Sequence, residues 1–87
     1  MKGSLVAMRP DDLSLQIVQA ALARVPELDP ATIDDLMLGC GQPAGEGGFN
    51  MARVVAVAAG LDGVPGVTVN RYCSSSLQTT RMAFHAI

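Results

Sequence analysis

The sequence predicts an α/β fold in which two parallel strands are flanked by three helices, in the order α-β-α-β-α. Three segments carry apolar residues at helical spacing. Two short apolar runs lie between these segments, and both are bounded by glycine or proline, as buried strands are. Strands that alternate with helices join one sheet through right-handed parallel crossovers.

The first helix is predicted to follow Pro10, with Asp11 and Asp12 supplying acidic N-terminal capping. Pro26 ends this helix, and Asp29 directly before another proline predicts a single capped turn. The predicted core-facing stripe of the helix is Leu15, Val18, Leu22 and Val25.

The middle of the chain reads as a strand, a loop and a helix. The run Leu36 to Leu38 is predicted to be a strand buried on both faces and closed by Gly39. Five of the nine glycines lie between residues 39 and 48, which predicts a long site-forming loop. Asn50 is expected to cap the next helix, which Gly60 ends. The helically spaced apolar residues of this second helix are Met51, Val54, Val55, Ala58 and Leu61.

The last third contains a second strand, a sharp turn and a third helix. Val67 to Val69 is rich in β-branched residues, and Asn70 to Cys73 turns the chain into a helix. Two strands with apolar faces need further strands and helices to form a stable sheet. We therefore expect these 87 residues to be part of a larger α/β domain. The helically spaced stripe of the third helix is Leu77, Thr80, Phe84 and Ile87.

Composition and charge exclude several classes of protein. The chain is 49% hydrophobic and 16% charged, which is too apolar and too weakly charged for a disordered chain. A net charge of −2 gives no positive field for nucleic acid. The two cysteines form no Cys-x-x-Cys pair, which predicts neither a metal site nor a disulfide framework. The unpaired cysteines fit a reducing compartment, and there is no signal-peptide or membrane-spanning pattern, so we expect a cytoplasmic protein that binds no membrane.

Cys73 is the candidate catalytic residue. It falls where a strand gives way to a helix, so unpaired amide N–H groups and the helix dipole favour the thiolate form of its sulfur. Ser74 to Ser76 are small enough to leave room for an acyl group and are expected to cap the helix. The backbone N–H of Cys73 could stabilise the oxyanion that forms during nucleophilic attack. The alternative is that Cys73 is a buried small apolar residue.

Two segments resemble one enzyme family. NRYCSSSLQ, residues 70–78, resembles the nucleophile motif of the thiolases, the acetyl-CoA acetyltransferase family. IDDLMLGCGQPAGEGGFNMAR, residues 33–53, is similar to the strand, glycine-rich loop and Asn-x-Ala-Arg helix start of degradative 3-ketoacyl-CoA thiolases. Lys2 to Leu5 look like the tail of the opening motif of this family. The resemblance implies a partial thiolase-like fold, with residues 1–87 a fragment of the thiolase N-terminal domain.

The resemblance also implies a chemistry. Cys73 takes the nucleophile position in a Claisen-type exchange that has a place in lipid metabolism. Acyl-CoA and CoA are its substrates, and the resemblance implies no resident cofactor. Thiolases also use an HNEGG-like histidine and a second cysteine in a Cys-x-Gly motif, both far downstream of the nucleophile. Cys40 matches the end of a family strand instead, and His85 is about 18 Å along a helix from Cys73. The family implies a homo-oligomer, a dimer or tetramer, with residues 67–70 as the expected subunit contact.

Three other interpretations stay open at the level of sequence. A decarboxylating β-ketoacyl synthase shares the CSSSL nucleophile, although its lead-in is normally of the Asp-Thr-Ala type and not Asn70-Arg71-Tyr72. A non-catalytic α/β fragment is the second alternative, since the 87 residues hold neither downstream motif. A nucleotide-binding module is the third and weakest, because the glycines from Gly39 to Gly45 are spaced GxGxxxG and Pro43 interrupts them.

Overall fold

The predicted element order is confirmed. The computed structural model describes residues 7–87, so the motif at Lys2 to Leu5 lies outside the described residues. Single 3₁₀ turns occur at residues 30–32, 45–47 and 72–74. The helices and strands are α1 (Pro10–Ala23), β1 (Leu36–Gly39), α2 (Met51–Ala58), β2 (Gly66–Val69) and α3 (Ser75–Ala86).

The two strands pair in parallel, and α2 and α3 cover opposite faces of the pair. A Cβ built on Gly66 would meet α2, whereas a Cβ built on Gly39 would meet α3. Gly66 pairs with Leu36, which lies three residues before Gly39. Because side chains alternate along a strand, positions 36 and 39 face opposite sides of the sheet. The β1–α2–β2 crossover therefore covers one face, and α3 returns over the other.

The start of α1 differs from the prediction that its aspartates cap it. Arg9 is the N-cap residue, with no side-chain cap bond, and Asp11 and Asp12 lie within the first turn. Asp11 instead binds the Arg9 guanidinium, with 3.0 Å between Nε and Oδ1, and accepts the Asp12 N–H. Val25 falls beyond the helix and is exposed, so the core-facing stripe ends at Leu22.

The core lies beneath α2 and the loop that follows it. The 3₁₀ turn at residues 30–32 is capped as predicted, since Asp29 accepts the Ala31 N–H at 3.0 Å. Ile33, the residue after this turn, packs against the core. The central cluster is Ala56, Leu61 and Val64, with Leu22, Ile33, Leu36 and Ala59 packed around it.

Helix α2 buries part of the face that its apolar spacing predicts. Met51, Val55 and Leu61 are buried as predicted. Val54 and Ala58 are exposed, and Ala52 and Ala56 are buried in their place. Small alanines let the helix approach the sheet, so they take the core positions that larger residues would otherwise occupy. The predicted end is confirmed: Gly60 has φ +81°, and the Leu61 N–H donates to the Ala56 carbonyl, as in a Schellman motif.

Helix α3 lies on the sheet through small polar residues. Ser75 and Thr79 are buried, while Leu77 and Phe84 are 72% and 74% exposed. The apolar stripe of α3 therefore faces away from the two strands. The strands themselves are half-buried and not fully buried as predicted, because each pairs with only one neighbour in the described part of the chain.

Candidate active site

Cys73 lies in the 3₁₀ turn that joins β2 to α3. The sequence prediction placed it at the start of the helix, but α3 begins at Ser75, two residues later. The side chain of Cys73 is exposed, so in this structure it is not a buried apolar residue. The thiol is therefore open to a reagent or substrate from outside the chain.

The backbone of this turn is held in an uncommon conformation. Tyr72 has φ +48°, in the left-handed region, where a residue with a Cβ costs roughly 1–2 kcal/mol. Two hydrogen bonds stabilise it: the Tyr72 N–H donates to Asn70 Oδ1 at 2.8 Å, and the Ser74 N–H donates to the Arg71 carbonyl at 3.0 Å. The first is an Asx turn, for which asparagine is suited.

Ser75 makes a third, buried connection across the same turn. Its hydroxyl oxygen accepts the Arg71 N–H at 2.8 Å, and its O–H donates to the Tyr72 carbonyl at 2.8 Å. The prediction that the serines cap α3 is therefore wrong in its simple form. Ser74 is the N-cap residue without a side-chain cap bond, and Ser75 bonds to the turn that precedes the helix.

The turn also lies tightly against the end of β1. A Cβ at Gly39 would come within 2.7 Å of the Ser75 carbonyl carbon and the Ser76 nitrogen, so only glycine fits without a shift. A Cβ at Gly41 would lie 3.5 Å from the Tyr72 Cα, which is ordinary contact. The Cys73 turn therefore packs against Gly39, the last residue of β1, and against Gly41 just beyond it.

The backbone N–H of Cys73 is a free donor within residues 7–87. Its neighbours on either side are occupied, by Asn70 Oδ1 at Tyr72 and by the Arg71 carbonyl at Ser74. No acceptor for the Cys73 N–H is found among the described residues. A thiol and an unused amide donor therefore belong to the same exposed residue, which is the pairing that attack on a carbonyl group requires.

The side chains of the other candidate residues lie away from the Cys73 thiol. Cys40 follows β1, and its Sγ lies 4.0 Å from the Gly47 carbonyl oxygen. A Cβ built on Gly47 would be 3.7 Å from both this Sγ and the Sδ of Met51, the first residue of α2. Cys73 instead leads into α3, the helix on the other face of the sheet. His85 is in the last turn of α3, edge-on to the Phe84 ring at 5.6 Å. From Ser75 to His85 the helix rises about 15 Å, so this imidazole is far from the thiol.

Sequence reasoning missed a residue that anchors α2. The Thr68 hydroxyl accepts the Ala52 N–H at 3.0 Å and donates to Asn50 Oδ1 at 2.8 Å. Asn50 is the N-cap residue, as predicted, but its side chain makes no cap bond and instead donates to the Gly66 carbonyl. Arg53 donates to the Val64 carbonyl at 2.7 Å, which gives it a positioning role on the α2–β2 loop.

Residues 7–87 hold no candidate metal site. No group of three or more histidine, cysteine, aspartate or glutamate side chains in this range could hold a metal ion. None of the helices it forms has the length and apolar character needed to cross a membrane.

The fold is of the parallel α/β class, and the exposed Cys73 is its candidate nucleophile. Comparison with known proteins gives the family. The chain matches the family model described as thiolase, N-terminal domain, over residues 1–87. It therefore belongs to the thiolase family, as its motifs predict.

Individual relatives agree with this assignment. The chain is 46% identical over 86 residues to a β-ketoadipyl-CoA thiolase of Pseudomonas knackmussii, covering 98% of this chain and 21% of that protein. It is 48% identical over 87 residues to a 3-ketoacyl-CoA thiolase of Bacillus subtilis, covering 99% and 22%. The crystal structure of the Bacillus anthracis acetyl-CoA acetyltransferase superposes with a TM-score of 0.74 at 38% identity, covering 87% of this chain and 19% of that one. The chain thus spans about a fifth of the length of the curated relatives it matches.

Proposed function

We propose that this chain supplies the nucleophile of a thiolase-type acyltransferase, with Cys73 as the residue that becomes acylated. The observation that carries the proposal is the exposed Cys73 turn, which lies at the end of a parallel strand in a chain of the thiolase family. Relatives named 3-ketoacyl-CoA and β-ketoadipyl-CoA thiolase support acyl-CoA and CoA as the substrates.

The proposed reaction proceeds through a thioester. The Cys73 thiolate bonds to the 3-keto carbon of a 3-ketoacyl-CoA, and the carbonyl oxygen becomes an oxyanion. Collapse of this adduct breaks the bond between carbons 2 and 3, and the acetyl-CoA carbanion takes up a proton as it leaves. The thiolate of free CoA then attacks the acyl-cysteine, which releases the shortened acyl-CoA and regenerates the Cys73 thiolate.

The backbone N–H of Cys73 is the proposed oxyanion donor. It has no acceptor among residues 7–87 and belongs to the attacking residue itself. A preorganised donor of this kind is commonly worth about 3 kcal/mol in the transition state. The protonation of the leaving group needs a general acid or base, and His85 is too far along α3 to provide it. We therefore expect the 87 residues alone to form no product from acetoacetyl-CoA above background.

The experiment is acylation of the protein by an acyl-CoA, read by mass spectrometry of each cysteine-containing peptide. We expect an acyl group on Cys73 in the wild type and in Cys40→Ala, and none in Cys73→Ala. Cys40→Ala is the matched control because it removes the other cysteine, which lies near α2. Acylation that persists in Cys73→Ala, or that occurs on Cys40, would contradict the assignment.

We also propose that the protein is cytoplasmic and self-associates, as a dimer or tetramer. Leu77 and Phe84 on α3 are mostly exposed, and apolar surface of this kind marks interaction sites. β2 pairs only with β1 among residues 7–87, so its other edge is open to a strand of a second copy. Light scattering should show a multiple of the chain mass; a monodisperse monomer with a cooperative melt would contradict the proposal.

A further inference from the structure

Ser75 differs from its neighbours Ser74 and Ser76 in both burial and hydrogen bonding. Ser75 is 5% exposed, whereas Ser74 and Ser76 are exposed. Its hydroxyl both accepts the Arg71 N–H and donates to the Tyr72 carbonyl. Both partners precede Cys73 in the chain. The first residue of α3 is therefore tied by its side chain to the two residues that lead into Cys73.

These bonds close the turn around a strained residue. Tyr72 has φ +48°, which a residue with a Cβ keeps only when its surroundings hold it there. The Tyr72 N–H is bound by Asn70, and its carbonyl accepts from Ser75. With both polar groups of Tyr72 bound, the peptide that carries the Cys73 N–H has a fixed orientation.

The close packing of Gly39 against α3 holds Ser75 where its hydroxyl can reach Arg71 and Tyr72. The Cα of Gly39 is close enough to α3 that an added Cβ would be 3.0 Å from the Ser75 Cβ. The close approach fixes the first turn of α3 against β1 and buries the Ser75 hydroxyl away from competing water. The hydrogen bonds of Ser75 therefore join the fixed N-terminus of α3 to the strained turn at Tyr72.

We propose that Ser75 is a positioning residue for Cys73: its hydroxyl holds the turn so that the Cys73 thiol and N–H face the same substrate carbonyl. This inference rests on the proposed nucleophile role of Cys73. It goes beyond that role because it names the side chain that holds the nucleophile in place. Loss of the Ser75 hydroxyl leaves the Arg71 N–H without its partner and leaves the Tyr72 carbonyl with only the backbone N–H of Ser75, so the turn then samples other conformations.

The experiment measures iodoacetamide alkylation of Cys73 relative to Cys40 at neutral pH, in wild type and variants. In Ser75→Ala we expect the Cys73 rate to fall about tenfold, the equivalent of one buried hydrogen bond. The Cys40 rate serves as the internal reference, because the Cys40 Sγ lies by the Gly47 carbonyl and not by the hydrogen bonds of Ser75. An unchanged ratio of the two rates would overturn the proposal.

Thr79→Val is the matched control. Thr79 is 8% exposed on the same helix, and its hydroxyl bonds within α3, to the Ser76 carbonyl at 3.0 Å. This variant loses a buried hydroxyl without touching the Cys73 turn. We expect its ratio of rates to equal that of the wild type. If Thr79→Val lowers the ratio as much as Ser75→Ala does, the effect is one of stability and the proposal fails.

Two further measurements keep the test decisive if Ser75→Ala does not fold. Ser75→Thr and Ser75→Val have the same shape, and only the threonine keeps the hydroxyl, so we expect only Ser75→Thr to retain the Cys73 rate. In the wild type, the Arg71 amide should exchange its hydrogen more slowly than the amide of exposed Asp62. Equal exchange would overturn the proposal. Failure of Cys73 to become acylated by acyl-CoA, with these alkylation results intact, would instead contradict the proposed function alone.

Discussion

The N-termini of α2 and α3 both lie against a strand where a glycine leaves no room for a side chain. Under α2 the glycine is Gly66, where a Cβ would be 2.6 Å from the Arg53 nitrogen. Under α3 it is Gly39, where the closest backbone atoms would be 2.7 Å away. Each helix is also entered through a non-glycine residue with positive φ, Asn50 in one case and Tyr72 in the other.

The segments that lead into α2 and α3, called here the two entrances, differ in the hydrogen-bond partners of their backbone N–H groups. At α2 a strand hydroxyl, that of Thr68, takes the Ala52 N–H, and Ala52 is completely buried. At α3 the turn is tied from within by Ser75, and the exposed Cys73 keeps an N–H with no acceptor in residues 7–87. The first amides of a helix need partners. The same close approach therefore anchors the helix where the strand supplies a partner, and leaves an exposed thiol beside a free amide where it does not.

The largest losses of stability are expected from adding a side chain at the two glycines that pack against a helix. Gly66→Ala and Gly39→Ala each force a Cβ against backbone atoms that cannot move aside, so each should lower the free energy of unfolding by roughly 2–3 kcal/mol. Only Gly39→Ala should also slow Cys73 alkylation under conditions where both variants are folded. Denaturant unfolding and cysteine labelling measure the two effects.

Gly63→Ala is the control for both substitutions. Gly63 has no heavy atom within 4 Å of a built Cβ and no positive φ. We expect a change within about 0.5 kcal/mol, as for other surface substitutions. Equal losses in all three variants would show that general glycine effects, and not the close approaches, decide stability.

The anchor at α2 should depend on the Thr68 hydroxyl. Thr68→Val keeps the shape of the side chain but leaves the Ala52 N–H and Asn50 Oδ1 without their partner, so unfolding should become easier by about 1–2 kcal/mol. Thr68→Ser keeps the hydroxyl and should lose less. Thermal melts of the two variants give the comparison, and a Thr68→Val melt equal to that of Thr68→Ser would contradict the anchor role.

The sequence predicts the order of the elements and the place of Cys73, because both depend on local signals. Gly60 ends α2 through its positive φ, and Asn70 supports a turn through its own side chain. Thr68 could not be found in this way, since its partners lie 16 and 18 residues away. The same holds for Ser75: the serine run is visible, but only the approach of β1 decides which serine is buried.

A smaller effect is expected at Asn70, the residue that starts the α3 entrance. Its Oδ1 accepts the Tyr72 N–H at 2.8 Å on the exposed side of the turn. Asn70→Ala should cost about 1 kcal/mol of stability and lower the Cys73 labelling rate less than Ser75→Ala does, because water can replace an exposed partner. Asn70→Asp keeps the acceptor and serves as the control. A larger loss in Asn70→Ala than in Ser75→Ala would reverse the ranking.

The smallest effect lies away from both entrances, in the first turn of α1. The hydrogen bond from the Arg9 guanidinium lowers the pKa of Asp11 below its usual value of 3.8. A carboxyl group whose pKa is lower in the folded state stabilises the fold above its unfolded pKa, and this stabilisation is lost as pH falls through the folded pKa. Asp11→Asn should therefore melt slightly below wild type at pH 7 and together with it in strong acid.

Asp12→Asn is the control for this prediction, because it removes the same charge from the same turn without touching the bond to Arg9. Both substitutions weaken the interaction of the first turn with the helix dipole. Only Asp11→Asn also removes the ion pair, so the difference between the two melts isolates it. The pair is exposed to solvent, and this difference should shrink as salt is added. A difference that persists in high salt, or that grows as the pH falls below 3.8, would show that the Arg9–Asp11 pair does not stabilise the start of α1.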